Sequence, residues 1–268
     1  TVRCLNALGA DITANEGGLS IKPIKNAPDS TAVLDCGESG SIYRFLVSVV
    51  AALGRKSKFV LSARLPERPM DDLWSVLESH GAQIEGKGSA EVQISGALTP
   101  GKSEISGNIS SQYITGLLLA LPLLDGESEL IITGERQSVG YINLTLSVLR
   151  EFSIKINQTQ NGFIIPGGQK FKLPEQLVCE GDWSNSAFWL CAGAMRGEGI
   201  RVTGLKSDTT QGDSAICRIL SRFGAHVSND KDGISVRSGK LRGISFDAGD
   251  IPDLVPVLAA VAAGAEGV

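Results

Sequence analysis

Residues 106 to 124 read SGNISSQYITGLLLALPLL, with Ser110, Ser111 and Gln112 directly ahead of a helical apolar run. Serine is a favoured N-cap, because its hydroxyl satisfies a free backbone N–H of the first turn. The same helix start offers free N–H groups and partial positive charge, which suit a phosphate. On this stretch alone both readings stand. Residues 35 to 46 read DCGESGSIYRFL, where Gly37 and Gly40 flank a polar turn, Ser41 can cap, and Arg44 falls one turn into the helix. Glycines allow a close backbone approach. The turn is neither a Walker loop nor a dinucleotide fingerprint, and an ordinary strand-to-helix turn with a surface arginine is the plain alternative.

Residues 64 to 70 read RLPERPM. Arg68, directly before Pro69, is biased to an extended conformation, and Pro69 suits the first turn of the helix that follows. An arginine held between prolines loses little entropy on gripping a phosphate or carboxylate, either of which its planar fork fits. A solvated charged loop is the alternative. In TGERQSVGYIN (133–143) Ser138 and Tyr141 are the contact groups, unless Tyr141 simply packs in the core. In EGDWSNSAFWLC (180–191) Asp182, Ser184 and Asn185 precede an apolar helix, and capping is the leading explanation. In DAGDIPDLVPV (247–257) Asp250 and Asp253 bracket Pro252 ahead of another helix. A carboxylate there is stabilised by the helix dipole and can serve as a general base if its pKa is raised; capping is again the simpler reading.

The elements that carry these groups repeat. CLNALGADITANEGGLSIKPI from residue 4, VLESHGAQIEGKGSAEVQISG from 76, VLREFSIKINQTQNGFIIPGG from 148 and ILSRFGAHVSNDKDGISVRSG from 219 each read as a helix end, a turn and two short strands. Gly9, Gly81 and Gly224 follow the helix in three copies and Ser153 takes that place in the other, at spacings of 72, 72 and 71 residues. Glycine suits the left-handed position that ends a helix. Between these marks β-branched strands (57–63, 127–134, 199–204) alternate with apolar helices, so the unit reads strand–helix–strand–helix–strand–strand and the fold class is α/β. Residue 1 falls inside the last helix of one unit and residue 268 just after helix 251–263 of another, from which sequence is expected on both sides. His80 and His226 occupy equivalent helix-to-strand junctions, which argues for turns rather than catalysis.

The chain has 268 residues, 42% hydrophobic and 20% charged, with a net charge of −4, which fits a soluble protein with a real core. No basic excess marks a duplex-binding surface, and the few aromatics make no base-stacking platform, so nucleic acid is not an expected partner. Five cysteines, 4, 36, 179, 191 and 217, never form a CxxC pair. They give neither a disulfide framework nor a zinc site and fit a reducing cytoplasm. No signal peptide is seen, and no apolar run reaches the roughly 18 residues of a membrane span; Pro122 interrupts the run 114–124. No Ser/His/Asp or HExxH pattern occurs, and no metal is expected.

In order and spacing, CGESGSIYR, LPERPMDDL, GNISSQYITGLLLALPLL, SVGYI, GDWSNSAFWL and DIPDL resemble the 5-enolpyruvylshikimate-3-phosphate synthase (3-phosphoshikimate 1-carboxyvinyltransferase) family over essentially the whole chain. The resemblance implies a two-domain, inside-out α/β barrel-like fold of six βαβαββ units, about four of them here. It implies a division into 1–179, binding shikimate 3-phosphate and lacking its start, and 180–268, part of the second domain. It implies transfer of the enolpyruvyl group of phosphoenolpyruvate to the 5-hydroxyl of shikimate 3-phosphate, with phosphate released and no cofactor, in a monomeric cytoplasmic enzyme.

Position by position, Ser110, Ser111 and Ser138 would hold the phosphate of shikimate 3-phosphate, Gln112 would lie between the two substrates, and Tyr141 would contact the shikimate ring. Arg68, Gly40 and Gln112 would hold the phosphate of phosphoenolpyruvate, supported by Ser41 and Arg44. Asp253 would bind the shikimate hydroxyls and act in proton transfer. The family's other cationic segments would lie outside residues 1 to 268, so this stretch alone is expected to be inactive. Glu38 and Phe45 depart from the family's pattern; Glu38 would repel a phosphate unless it turns away. The sister enzyme acting on UDP-N-acetylglucosamine shares the fold but usually carries a reactive cysteine in the loop that here reads SARLPERP. A non-catalytic binding module is the remaining alternative.

Overall fold

The computed structural model describes residues 1–24, 30–135 and 138–268. Arg136 and Gln137 of the TGERQSVGYIN stretch lie outside them. The chain divides into two compact units, one of Thr1–Arg136 and Val148–Leu173, the other of Gln137–Ser147 and Pro174–Val268.

The first unit opens with α1 (Val2–Ala7) and the hairpin β1 (Asp11–Asn15) and β2 (Gly18–Lys22). A full repeat follows: β3 (Ala32–Gly37), α2 (Gly40–Ala52), β4 (Ser57–Leu61), α3 (Asp71–Ser79), β5 (Gln83–Glu85) and β6 (Glu91–Ser95). The next comprises β7 (Lys102–Ser106), α4 (Ser111–Ala120), β8 (Ser128–Thr133), α5 (Val139–Glu151), β9 (Asn157–Gln158) and β10 (Gly162–Ile165); its α5 begins among the residues of the second unit. Each repeat makes a four-stranded sheet of the same order, β3-β4-β6-β5 and β7-β8-β10-β9, with the first pair parallel and the others antiparallel. Burial alternates along β3, β4 and β8, the mark of sheets with one buried face. Tyr43, Phe59 and Trp74 join α2, β4 and α3 in the core, with ring centroids 5.6 and 6.0 Å apart.

The second unit contains α6 (Trp183–Met195), β11 (Ile200–Val202), α7 (Ile216–Phe223), β12 (His226–Asp230), β13 (Gly233–Arg237) and α8 (Val255–Ala263). Its sheet runs β11-β13-β12, matching β8-β10-β9 of the preceding copy. The opening strand expected of this copy is absent among the described residues, since 166–182 carry no strand. Trp183, Leu190, Phe223, Val236, Leu254 and Leu258 build the core of this unit.

The four repeat junctions share one backbone state. Gly9, Gly81 and Gly224 have φ of 103, 107 and 106°, and Ser153, the exception in sequence, has φ of 63°. A β-carbon in that region presses on its own carbonyl at a cost of roughly 1–2 kcal/mol. Ser153→Gly is therefore expected to stabilise the chain by about 0.5–1 kcal/mol after glycine's greater unfolded entropy is subtracted. Urea unfolding would read it as a higher midpoint at unchanged slope; a lower midpoint would mean that the Ser153 side chain stabilises the junction.

His80 serves its junction structurally. Nδ1 lies 2.9 Å from Thr99 O, and Nε2 lies 2.8 Å from Ser103 Oγ and 3.3 Å from Lys102 O.

Candidate active site

In the first unit the polar side chains singled out in sequence gather around Gly40. Ser39, rather than Ser41, caps α2, its Oγ accepting from Ile42 N at 3.3 Å. Ser41 is thereby free to accept from Gln112 Nε2 at 2.9 Å. Gln112 Oε1 accepts from Arg44 Nη1 at 2.8 Å. Arg44 lies over the Tyr113 ring at 5.2 Å and donates from Nη2 to Pro69 O at 3.4 Å. The Tyr113 hydroxyl donates to the same carbonyl. Pro69 thus stands outside α3, two residues before its start, and contributes an acceptor rather than a first helical turn. Sequence reasoning missed both it and Tyr113, since a proline's carbonyl leaves no trace in a sequence.

Gly116 explains how two helices can share these bonds. A β-carbon there would lie 2.6 Å from Arg44 O and 3.0 Å from Ser48 Oγ, so α4 meets α2 backbone to backbone at this point. Gln112, one turn earlier on the same face, is delivered to Arg44.

Arg68 is extended, with φ −72° and ψ 139°, as the following proline dictates. Glu67 is taken up by Arg64 at 3.2 Å. A β-carbon on Gly40 would lie 3.1 Å from Arg68 Nη1, 3.7 Å from Arg44 Nη1 and 3.6 Å from Gln112 Oε1. Two guanidiniums therefore converge on a bare stretch of backbone, and among the described residues neither is paired with a carboxylate. Burial lowers the pKa of Arg44, and the Arg68 charge pushes the same way. An arginine nonetheless stays protonated in proteins, so the pair repels until an anion arrives. Glu38 is exposed.

Ser110 caps α4, accepting from Gln112 N at 3.3 Å. Ser111 opens the helix, whose first turn holds no acidic side chain to offset its positive end. Residues 110, 111 and 112 are all half-buried.

In the second unit Ser138, Tyr141, Ser184, Asp250 and Asp253 come together with a residue that sequence reasoning missed, Asp213. Tyr141 is half-buried, and its hydroxyl donates to Asp253 Oδ2 at 2.5 Å. Ser138 precedes α5 with φ 55°, a left-handed state uncommon for serine. Asp182 caps α6 as expected, accepting from Asn185 N at 3.1 Å. Asp250 and Asp253 do not cap the helix they precede: α8 has no side-chain cap, and Asp250 Oδ1 instead accepts from Val139 N of α5 at 3.4 Å. Ser184 donates to Asp213 Oδ2. Asp213 is 3% exposed, and its Oδ1 has no partner among the described residues. In sequence it is one acid of the polar loop KSDTTQGDS, with nothing to separate it from Asp208.

Burial raises the pKa of Asp213 above 3.8. The folded chain then holds this proton more tightly than the unfolded chain. Stability is unaffected below 3.8 and declines as pH rises from there through the raised value. Asp213→Asn is expected to flatten that decline in urea unfolding followed across pH. An unchanged profile would assign the decline to other groups.

Among the described residues no three His, Cys, Asp or Glu side chains cluster as metal ligands, and no helix is long and apolar enough to cross a membrane. Cys36 is buried with its thiol pushed up to about 12, chiefly by that burial, so it is no reactive nucleophile.

The architecture is that of the enolpyruvyl transferases. An EPSP synthase from Acinetobacter baumannii superposes with a TM-score of 0.76 at 24% identity, over 99% of this chain and 63% of that one. An enolpyruvyl transferase from Streptomyces tendae superposes with a TM-score of 0.72 at 20% identity, over 98% of this chain and 64% of that one. The family model for EPSP synthase (3-phosphoshikimate 1-carboxyvinyltransferase) matches residues 1–268, and the chain belongs to that family. Curated 3-phosphoshikimate 1-carboxyvinyltransferases of Clostridium beijerinckii and Clostridioides difficile are 38% and 39% identical over 100% and 98% of this chain. The chain spans 63% and 62% of their respective lengths.

Proposed function

We propose that these residues form the larger part of the substrate-binding machinery of an enzyme that transfers the enolpyruvyl group of phosphoenolpyruvate to the 5-hydroxyl of shikimate 3-phosphate, releasing phosphate, in the cytoplasm. The observation that carries this reading is the pair of guanidiniums, Arg44 and Arg68, which have no carboxylate partner among the described residues and meet beside Gln112 at Gly40. Such a site suits a small, doubly charged anion, since a guanidinium fork matches phosphate and carboxylate alike.

In this reading Arg68, Gly40 and Gln112 hold the phosphate of phosphoenolpyruvate, with Arg44 and Ser41 fixing Gln112. Ser110, Ser111 and Ser138 hold the phosphate of shikimate 3-phosphate, aided by the positive end of α4. Tyr141 contacts the shikimate ring, and Asp253 binds its hydroxyls and moves the proton. The division of substrate domains near residue 180 belongs to the same proposal.

Calorimetric titration with shikimate 3-phosphate tests the reading, repeated on Ser110→Ala/Ser111→Ala. The double variant is expected to lose binding while losing no more stability than a cap's roughly 1–2 kcal/mol. Equal binding by both chains would reduce the two serines to caps.

A further inference from the structure

Asp213 has geometry that the substrate roles above leave unused. It sits in the turn Gly212–Ala215, with its carboxylate 3.5 Å from the Tyr141 hydroxyl and bonded to Ser184. The backbones around it are packed without intervening side chains. A β-carbon on Gly140 would lie 3.3 Å from Gly212 N, and one on Gly212 would lie 3.3 Å from Asp250 O. Gln211, next in the same loop, is anchored by Trp183 N at 3.0 Å, Gly181 O at 3.0 Å and Glu180 Oε2 at 3.2 Å. The start of α5, the turn holding Asp213 and the turn holding Asp253 therefore form one tight mount.

A tyrosine hydroxyl has a single proton, and Tyr141 gives its proton to Asp253 at 2.5 Å. Asp213 can bond the same oxygen only by donating to it. We propose that Asp213 is a positioning residue, which donates to the Tyr141 oxygen and so locks the Tyr141 proton onto Asp253. Its effect on substrate rests on the function proposed above: a fixed Tyr141 proton holds the Asp253 carboxylate in one direction for the shikimate hydroxyls.

The surroundings favour the acid form. Burial is the main force raising the Asp213 pKa, and the Asp253 and Asp182 charges add to it, against the opposing hydrogen bonds with Ser184 and Tyr141. Facing it are Tyr141 on α5, Asp182 and Ser184 at the start of α6, and Asp253 ahead of α8, with Asp250 in the same turn. None of these is a cation. The acid form of Asp213 donates to Tyr141 oxygen, Tyr141 donates to Asp253, and Ser184 donates to Asp213, so each of the three protons has one acceptor.

Tyrosine labelled with carbon-13 at Cζ tests the lock without any ligand. The chain has three tyrosines, so Tyr141→Phe assigns the resonance. On raising pH, the Tyr141 signal is expected to shift in a step that Asp213→Asn removes and Asp253→Asn leaves in place. A step untouched by Asp213→Asn overturns the proposal.

Titration with shikimate 3-phosphate then reads the consequence. With its amide nitrogen in the place of Oδ2, asparagine can donate one hydrogen to Tyr141 and the other to Ser184 Oγ, so Asp213→Asn is expected to stay within about threefold of the parent affinity, while Asp213→Ala loses about tenfold. The parent affinity should fall as pH rises through the Tyr141 step, and the Asp213→Asn affinity should not. Equal losses in both variants, with no change in pH dependence, overturn the positioning role. A parent chain that binds no shikimate 3-phosphate counts against the proposed function, and the Tyr141 signal still decides whether Asp213 holds the tyrosine.

Discussion

Gly116→Leu destabilises the chain by about 3 kcal/mol or more, the upper range for overfilling a close-packed contact. At the roughly 2–4 °C per kcal/mol typical of domains of this size, the melting temperature falls by about 6–12 °C. The cause is local and severe. Even the first carbon of a side chain would stand 2.6 Å from Arg44 O, a backbone atom with nowhere to go, and 3.0 Å from Ser48 Oγ. Gly116→Ala is milder, because alanine's better helix propensity returns about 1 kcal/mol. The site should suffer in both variants. Parting α4 from α2 stretches the 2.8 Å bond between Arg44 and Gln112 and the 2.9 Å bond between Gln112 and Ser41, which have no slack. Differential scanning calorimetry and titration with a phosphate-bearing ligand read the two effects separately. A Gly116→Ala chain that melts and binds as the parent does would show that the helices can part without cost.

Arg68→Ala separates binding from stability in the opposite sense. Arg68 is exposed, has no carboxylate partner among the described residues, and repels the half-buried Arg44. Its removal should leave the melting temperature of the ligand-free chain unchanged or slightly higher. Affinity for phosphoenolpyruvate, measured with shikimate 3-phosphate present, should fall about 10- to 100-fold. That is the worth of one hydrogen-bonded charge, about 1.5–3 kcal/mol. Inorganic phosphate offers a simpler measurement. It should raise the melting temperature of the parent chain more than that of Arg68→Ala, since a ligand that binds only the folded state stabilises by mass action. Raising the concentration of an inert salt should shrink the difference, as screening weakens a partly exposed charge. A drop in melting temperature with unchanged affinity would make Arg68 a structural residue and remove the main support for the anion site.

Glu67 shows why the sequence left the RLPERPM loop open between an anion grip and a solvated charged loop. Its carboxylate could have neutralised either neighbouring arginine. The 3.2 Å pair with Arg64 leaves Arg68 free, and that choice depends on how the loop is wound before α3. Asp250 is similar. Placed just before a helix, it has the chemistry of a cap, and a cap it is, but for a helix whose start lies 111 residues earlier in the chain.

The residue types alone determined the repeat, the α/β class and the turn positions, because these rest on local requirements. A left-handed junction calls for glycine at Gly9, Gly81 and Gly224, and a strand with one buried face calls for alternation. They also supplied the groups that assemble at Gly40, since arginine, glutamine and serine carry their hydrogen-bonding capacity wherever they stand. Partnership and burial were decided by the tertiary structure. Asp213 and Asp208 share a loop and a side chain, and only the approach of α5, α6 and the turn before α8 buries one of them. A carboxylate's chemistry depends on the solvent it loses and the donors it meets, and distant segments set both.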